Sequence, residues 1–363
     1  MKTFKVLETQ RIWCTLTYVC IPNDSIVGSL IVWFARHGRP LPWREPGTSA
    51  WAILVCEVMS QQTPVVRVLP AWDEWMKRWP TPRDLAAASP AEVLLAWGRL
   101  GYPRRALRLQ ECATVVAQEY GNTLPRNREE LLALPGIGPY TADAIIAFAY
   151  RKRSTVLDTN IRRVLARLHG EELPPPHMKK DEIARAEKII PRDDEYAAQW
   201  NAAIMELGAL VCSPRTPACE SCPLRAQCRW FAAGKPRNAA PRRTQKFTGT
   251  HREARGKIMA ILRSEHRAPE ETPPLSRIIE TQPHGMSESN AASGKNPTAH
   301  SNKAPINHKQ VKTHTTTTTA HGIPYNELLT ATALPESRFA PALRSLLQDG
   351  LAQRNGELYA LPH

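Results

Sequence analysis

No stretch of this sequence is apolar for long enough to cross a bilayer. The longest runs, such as Ala144 to Tyr150, fall well short of the ~20 residues that a spanning helix needs. No membrane partner is therefore expected. The opening, Met1 to Pro22, lacks a clean apolar segment and a small-residue cleavage site, so it does not read as a secretion signal. Acid is scarce. Against 48 Lys+Arg stand 34 Asp+Glu, leaving a formal net charge of +14. That balance favours a polyanionic partner, nucleic acid before membrane surface. Strand signals are nearly absent from Ile26 to Trp230. Cysteine is unevenly spread: Cys14, Cys20, Cys56 and Cys112 are scattered, whereas Cys212, Cys219, Cys222 and Cys228 crowd into seventeen residues. A disulfide framework does not distribute its cysteines so, whereas a metal or cluster site in a reducing compartment does.

What is there reads mainly as helix. Residues 1–26 look unrelated to the rest of the chain and are expected to form a poorly ordered extension. From residue 27 to 230, apolar residues recur at helical spacing, as in Ile53, Leu54 and Val58 or Leu94, Leu95, Trp97 and Leu100. Asp84 and the run Ser89-Pro90-Ala91-Glu92 read as helix starts. A compact all-α unit of nine or ten helices is expected. Between Arg229 and Lys257 nine basic residues accompany one acid, and residues 231–250 read as a basic linker. The region 251–363 reads as a small winged-helix-like unit. It comprises a helix from His251 to Arg263, two short helices around Tyr325–Leu329 and Ser337–Leu347, and a hairpin centred on Asn355-Gly356. A low-complexity insert at about 269–322, with Thr315 to Thr319 in it, is too polar to bury a core and is expected to be disordered.

Four motifs carry chemistry. Cys212-x6-Cys219-x2-Cys222-x5-Cys228 places four thiols on one polar loop, enough to enclose a 4Fe–4S cluster or a tetrahedral zinc. A single C-x2-C pair, where structural zinc sites more often show two, leans to iron–sulfur. Leu134-Pro135-Gly136-Ile137-Gly138-Pro139-Tyr140 opens a helix with two glycines and leaves amide N–H groups bare, an anion site suited to phosphate. An ordinary helix–helix turn is the competing reading. Asp158, within Val156-Leu157-Asp158-Thr159-Asn160, precedes an amphipathic helix. Taken alone it is a helix N-cap. Glu57, amid Trp51, Ile53, Leu54, Val55 and Val58, is a carboxylate in an apolar helix. Burial favours its protonated form and a general-acid role, against the commoner reading of a solvated surface Glu.

In this order and spacing the motifs resemble the helix-hairpin-helix DNA glycosylases with an iron–sulfur loop, and within them the adenine DNA glycosylases of MutY type. Leu41-Pro42-Trp43-Arg44, Glu57 to Thr63, Leu100-Gly101-Tyr102, the glycine turn, Leu157-Asp158 and Met205-Glu206-Leu207-Gly208 carry the resemblance, which covers about residues 27–230. It implies removal of adenine mispaired with 8-oxoguanine or guanine. Glu57 would act as general acid and Asp158 as the carboxylate that stabilises the sugar cation, with Tyr140 and Asn160 positioning them. Trp43, Arg44 and Glu206 match residues that hold the extruded adenine. Gln62 and Tyr102 match residues wedged into the base stack, and Gly136 and Gly138 the backbone that approaches phosphate. Cys212, Cys219, Cys222 and Cys228 match the cluster ligands. The implied partner is double-stranded DNA and the implied setting a monomer in the cytoplasm, on the bacterial nucleoid. Departures are Arg99 where a Gly is usual, Pro103 for a second Tyr, Glu206 for Asp and Ala202 for Gln. The tail carries no Phe-Ser-His signature of the family's usual 8-oxoguanine-reading domain. A glycosylase for mispaired thymine or uracil, or a non-catalytic iron–sulfur DNA-binding protein, remain the alternatives.

Overall fold

A computed structural model describes residues 25–237, 247–267 and 322–363. The expected extension (but for Ser25 and Ile26), residues 238–246 of the basic linker and the low-complexity insert (but for Gly322) lie outside the described residues. The chain divides into two compact units, the first running to Gly249 and the second from Thr250 to Leu361.

The first unit carries twelve α-helices among its described residues: α1 (Ile26–His37), α2 (Ala50–Ser60), α3 (Val65–Arg78), α4 (Pro82–Ala87), α5 (Pro90–Trp97), α6 (Arg104–Glu119), α7 (Arg128–Ala133), α8 (Pro139–Phe148), α9 (Thr159–Leu168), α10 (Lys180–Ile189), α11 (Asp194–Leu210) and α12 (Arg229–Ala232). The excess over nine or ten comes from α4, α7 and α12, which have six, six and four residues. Helices that short show too few turns for a repeat to stand out. Ser89 caps α5 as expected, in a reciprocal box with Glu92. At α4 the roles differ from the expected ones: Thr81 is the cap, and Asp84 reaches back to the Thr81 N–H at 2.9 Å. An acid in the first turn serves either way.

Two hydrophobic cores build this unit. One gathers α2 to α7 around Trp75, which meets Trp79 and Trp97 edge-on at 4.8 and 5.4 Å. The other gathers α1, α9, α10 and α11 around Leu30, Trp200, Ile204 and Leu207. Helix α8 belongs to both: Ala142 and Ile145 pack into the first, Ala144 and Ala147 into the second. The seam between the cores therefore runs along α8.

The second unit has α13 (His251–Arg267), β1 (Ile323–Pro324), α14 (Tyr325–Thr332), α15 (Glu336–Gln348), β2 (Gln353–Asn355) and β3 (Leu358–Ala360). The sheet is antiparallel in the order β1-β3-β2, with Arg354 opposite Tyr359 and Ile323 also opposite Tyr359. Two residues of β1 are too few to have been read from the sequence. Ile258, Leu262, Leu328, Phe339, Leu346 and Leu361 fill its interior. Arg255 ties α13 to α15 through Asp349 at 2.6 Å. Among the described residues, no helix is long and apolar enough to cross a membrane.

Candidate active site

Helix α2 presents Glu57 as its one acid among Trp51, Ile53, Leu54, Val55, Val58 and Met59, all buried. Burial pushes the Glu57 carboxyl up to about 7, and the nearby Asp158 charge adds to that. The Tyr140 hydroxyl and the Arg44 charge pull it back. Tyr140, in the first turn of α8, donates to Glu57 Oε2 at 2.8 Å. Burial and the charges of Glu57 and Asp158 hold the phenol well above its ordinary value, so it stays a donor.

Asp158 caps α9 and lies close enough for its charge to act on Glu57 and Tyr140. Its Oδ1 accepts the Ile161 N–H at 2.6 Å and its Oδ2 the Asn160 side-chain amide at 3.0 Å. Burial raises its carboxyl, but these donors, the Asn160 N–H and the Arg163 charge oppose that. Two half-buried acids thus share one seam in unlike surroundings. Glu57 has a single donor, whereas Asp158 has several that favour its ionised form.

Trp43 and Arg44 lie on the turn Pro42–Arg44, with Trp43 edge-on to Trp72 at 5.6 Å. Arg44 stacks over Phe34 at 5.1 Å and reaches Glu206 at 2.9 Å. Glu206 is 0 % exposed. Its Oε1 takes the backbone N–H and the Nε of Arg39 at 2.9 and 2.7 Å, and its Oε2 takes Arg39 Nη2 at 2.8 Å. Burial alone would raise this carboxyl, but the two arginines overwhelm it and hold it at about 2. Every oxygen of Glu206 is thus engaged by protein donors. The structure makes it the anchor of Arg44 and gives it no open face toward a base. Arg39 was invisible in the sequence because its partner lies 167 positions away.

Gln62 and Tyr102 are exposed and share an open groove of about 370 Å³ with Arg104, Arg108 and Gly136. The glycine turn joins α7 to α8 as a helix-hairpin-helix. Gly136 has φ +77°, and a Cβ there would sit 3.1 Å from Arg108 Cβ. Gly138 begins α8 with no side-chain cap, and a Cβ there would meet nothing within 4 Å, so its surroundings are open to an approaching group.

The cysteine loop docks on α9 through two buried arginines that sequence reasoning missed. Arg167 donates to Cys212 Sγ at 3.2 Å and to the Ser213 carbonyl at 2.8 Å, and lies 4.4 Å over the Trp230 ring. Arg163 donates to the Cys212 carbonyl at 2.7 Å and to the Asn160 side-chain oxygen at 2.8 Å. A hydrogen-bonded path therefore runs from Cys212 through Arg163 and Asn160 to Asp158. Gly208 permits it: a Cβ there would lie 2.7 Å from Asn160 Cβ. Burial raises the thiols of Cys222 and Cys228, and repulsion from the neighbouring cysteines adds to it. Among the described residues, no three His, Cys, Asp or Glu side chains converge as a ready-made metal cage.

The model of the HhH-GPD superfamily of base excision DNA repair proteins matches residues 55–191. The adenine DNA glycosylase of Mycolicibacterium smegmatis is 52 % identical over 235 residues, covering 64 % of this chain and 79 % of that protein. The adenine DNA glycosylase of Mycobacterium tuberculosis is 49 % identical over 254 residues, covering 67 % and 83 %. Among solved structures, a thermostable thymine-DNA glycosylase superposes with a TM-score of 0.52 at 28 % identity, over 57 % of this chain and 95 % of that one.

Proposed function

Because the chain belongs to the HhH-GPD superfamily of base excision DNA repair proteins, and within it to the adenine DNA glycosylases, we propose that it releases adenine mispaired with 8-oxoguanine or guanine by dividing the work between Glu57 and Asp158. It is a DNA glycosylase, a hydrolase of N-glycosyl bonds, acting on adenine in base excision repair. The observation that carries the mechanism is the pair of carboxyls at one seam, one pushed up to about 7 and the other held by several donors.

The glycosidic bond is out of reach inside a duplex, so the nucleotide is extruded first. Glu57 carries a proton near neutrality and gives it to N7 of adenine. The C1′–N9 bond breaks with its electrons leaving on the base, and adenine departs neutral. Asp158, ionised, stabilises the cation left on the sugar until water attacks C1′. Tyr140 holds Glu57 in place and Asn160 holds Asp158. Tyr140 carries no amine, so no Schiff base forms and the product is an abasic site. Trp43 and Arg44 flank the extruded base, Gln62 and Tyr102 enter the stack, and Gly136 and Gly138 let the hairpin approach phosphate.

A panel of duplexes with A:8-oxoG, A:G, T:G and U:G mispairs tests this, with the free base identified by chromatography. Adenine is expected from the first two, and Asp158→Asn is expected to bind them without releasing it. Release of thymine or uracil, or binding without release by the unaltered protein, would overturn the reading.

The four thiols and the Arg167 donor on Cys212 suit a 4Fe–4S cluster held by Cys212, Cys219, Cys222 and Cys228. Bound there, it would fix the loop that leads through Arg163 to Asp158. Brown protein containing iron and acid-labile sulfide is expected on purification, and a colourless, zinc-containing preparation would refute the assignment. The order helix, strand, helix, helix, hairpin with β3 central supports a winged-helix reading of the second unit. The ratio of A:8-oxoG to A:G rates measures how strongly the damaged base is read.

A further inference from the structure

Gln62 and Tyr102 have an unusual backbone. Their φ angles are +57° and +47°, the left-handed region that L side chains avoid. They stand on separate loops, one after α2 and one before α6, so neither can hold the other through chain continuity. Something must fix both.

Arg105 touches both loops. One nitrogen of its guanidinium, Nη1, donates to the carbonyls of Val58 at 2.6 Å, Gln61 at 2.7 Å and Met59 at 3.3 Å. The other, Nη2, donates to the carbonyls of Gly101 at 3.0 Å and Leu100 at 3.4 Å, and to Thr63 Oγ1 at 3.3 Å. Its guanidinium carbon lies over the rings of both Trp97 and Tyr102, 5.1 and 5.7 Å from their centroids. Thr63 Oγ1 adds a cross-link by donating to the Leu100 carbonyl at 3.2 Å. The acceptors on one side include carbonyls of the last turn of α2, the helix that carries Glu57. Those on the other side are Thr63, next to Gln62, and the carbonyls of the turn that carries Tyr102. No carboxylate is among these partners, so the fork is spent on backbone shape and not on an ion pair.

We propose that Arg105 is a positioning residue that locks Gln62 and Tyr102 in their left-handed, outward poses and thereby sets the rate at which the adenine nucleotide leaves the stack. The proposal rests on the reading of Gln62 and Tyr102 as wedge residues. A planar fork spans two loops in a way that a lysine ammonium cannot, so charge alone does not substitute. Adenine that is already unpaired needs little help from a wedge. The defect should therefore depend on the substrate and not on the chemistry.

The test compares full-length Arg105→Gln and Arg105→Lys with Gln62→Ala and Tyr102→Ala. Single-turnover adenine release is measured on an A:8-oxoG duplex and on the same strand with adenine opposite a tetrahydrofuran abasic analogue. On the paired duplex, Arg105→Gln is expected to be slower by about 10- to 100-fold, with the defect shrinking to within about threefold opposite the abasic analogue. Arg105→Lys is expected to show the same dependence and carries the comparison if Arg105→Gln does not fold. Equal defects on both substrates, no defect, or full activity of Arg105→Lys would each overturn the proposal. If Gln62→Ala and Tyr102→Ala show the substrate dependence and the Arg105 variants do not, the inference alone fails. If the two alanine variants show none, the wedge reading fails and takes the inference with it.

Discussion

Glu57→Gln is expected to abolish adenine release and, at alkaline pH, to make the protein more stable. The amide cannot donate a proton to N7, and loss of a positioned general acid costs roughly 10³-fold. The stability effect has the opposite sign. The fold raises this carboxyl from an ordinary 4.5 to about 7, so the folded state favours the protonated form. Below pH 4.5 the group is protonated folded or unfolded, and it costs nothing. Above pH 7 it is ionised in both states, and the full penalty of an ionised carboxylate among apolar side chains is present, about 3 kcal/mol. Glutamine removes that penalty. Thermal melts at pH 8 should place Glu57→Gln above the unaltered protein by about 5–10 °C, with the two converging near pH 4. The same value places the alkaline limb of the rate profile near 7. Tyr140→Phe should move that limb to higher pH, because the phenol's hydrogen bond favours the carboxylate and its loss favours the acid. An alkaline limb unmoved in Tyr140→Phe would remove Glu57 as the titrating group.

Glu206→Ala is expected to damage the fold more than the chemistry. The carboxylate is 0 % exposed and takes four hydrogen bonds from Arg39 and Arg44. Removing it leaves two guanidinium groups facing a hole. Breaking a buried pair costs about 3–5 kcal/mol. The Arg39 and Arg44 side chains keep 33 % and 24 % of their exposure, so water takes up part of the deficit and the lower end, about 3 kcal/mol, is expected. For a unit of this size that corresponds to roughly 10 °C in Tm. The pH dependence follows from a folded value of about 2 against an ordinary 4.5. The stabilisation is complete above pH 4.5 and drains away as the pH falls from there toward 2. If Glu206→Ala instead melts like the unaltered protein but loses affinity for adenine-containing DNA, Glu206 touches the base, as the resemblance implied.

The sequence was most legible where structure is local. Ser89, Pro90 and Glu92 start α5 within four residues, and Asp158 caps the helix directly after it. The glycines of the α7–α8 turn and the Asn355-Gly356 hairpin are likewise read from neighbours in the chain. The pairing of Glu57 with Tyr140 spans 83 positions and came only from resemblance to a family. The arginines came from nothing. Arg39, Arg105, Arg163 and Arg167 look like the other basic residues of a basic chain. Their partners are mostly backbone carbonyls or acids far away in sequence, and a carbonyl leaves no mark in an amino-acid code. Net positive charge pointed to DNA, yet part of that charge is spent indoors as scaffolding.

The shared helix α8 ties two tasks to one rigid rod. Its leading end is the glycine turn, its first turn holds the hydroxyl that restrains Glu57, and its two sides are walls of different cores. On the roles proposed above, a strand held at the turn would sit within one turn of helix of the hydroxyl that positions the proposed proton donor. Strand binding and base release would then depend on the placement of a single helix.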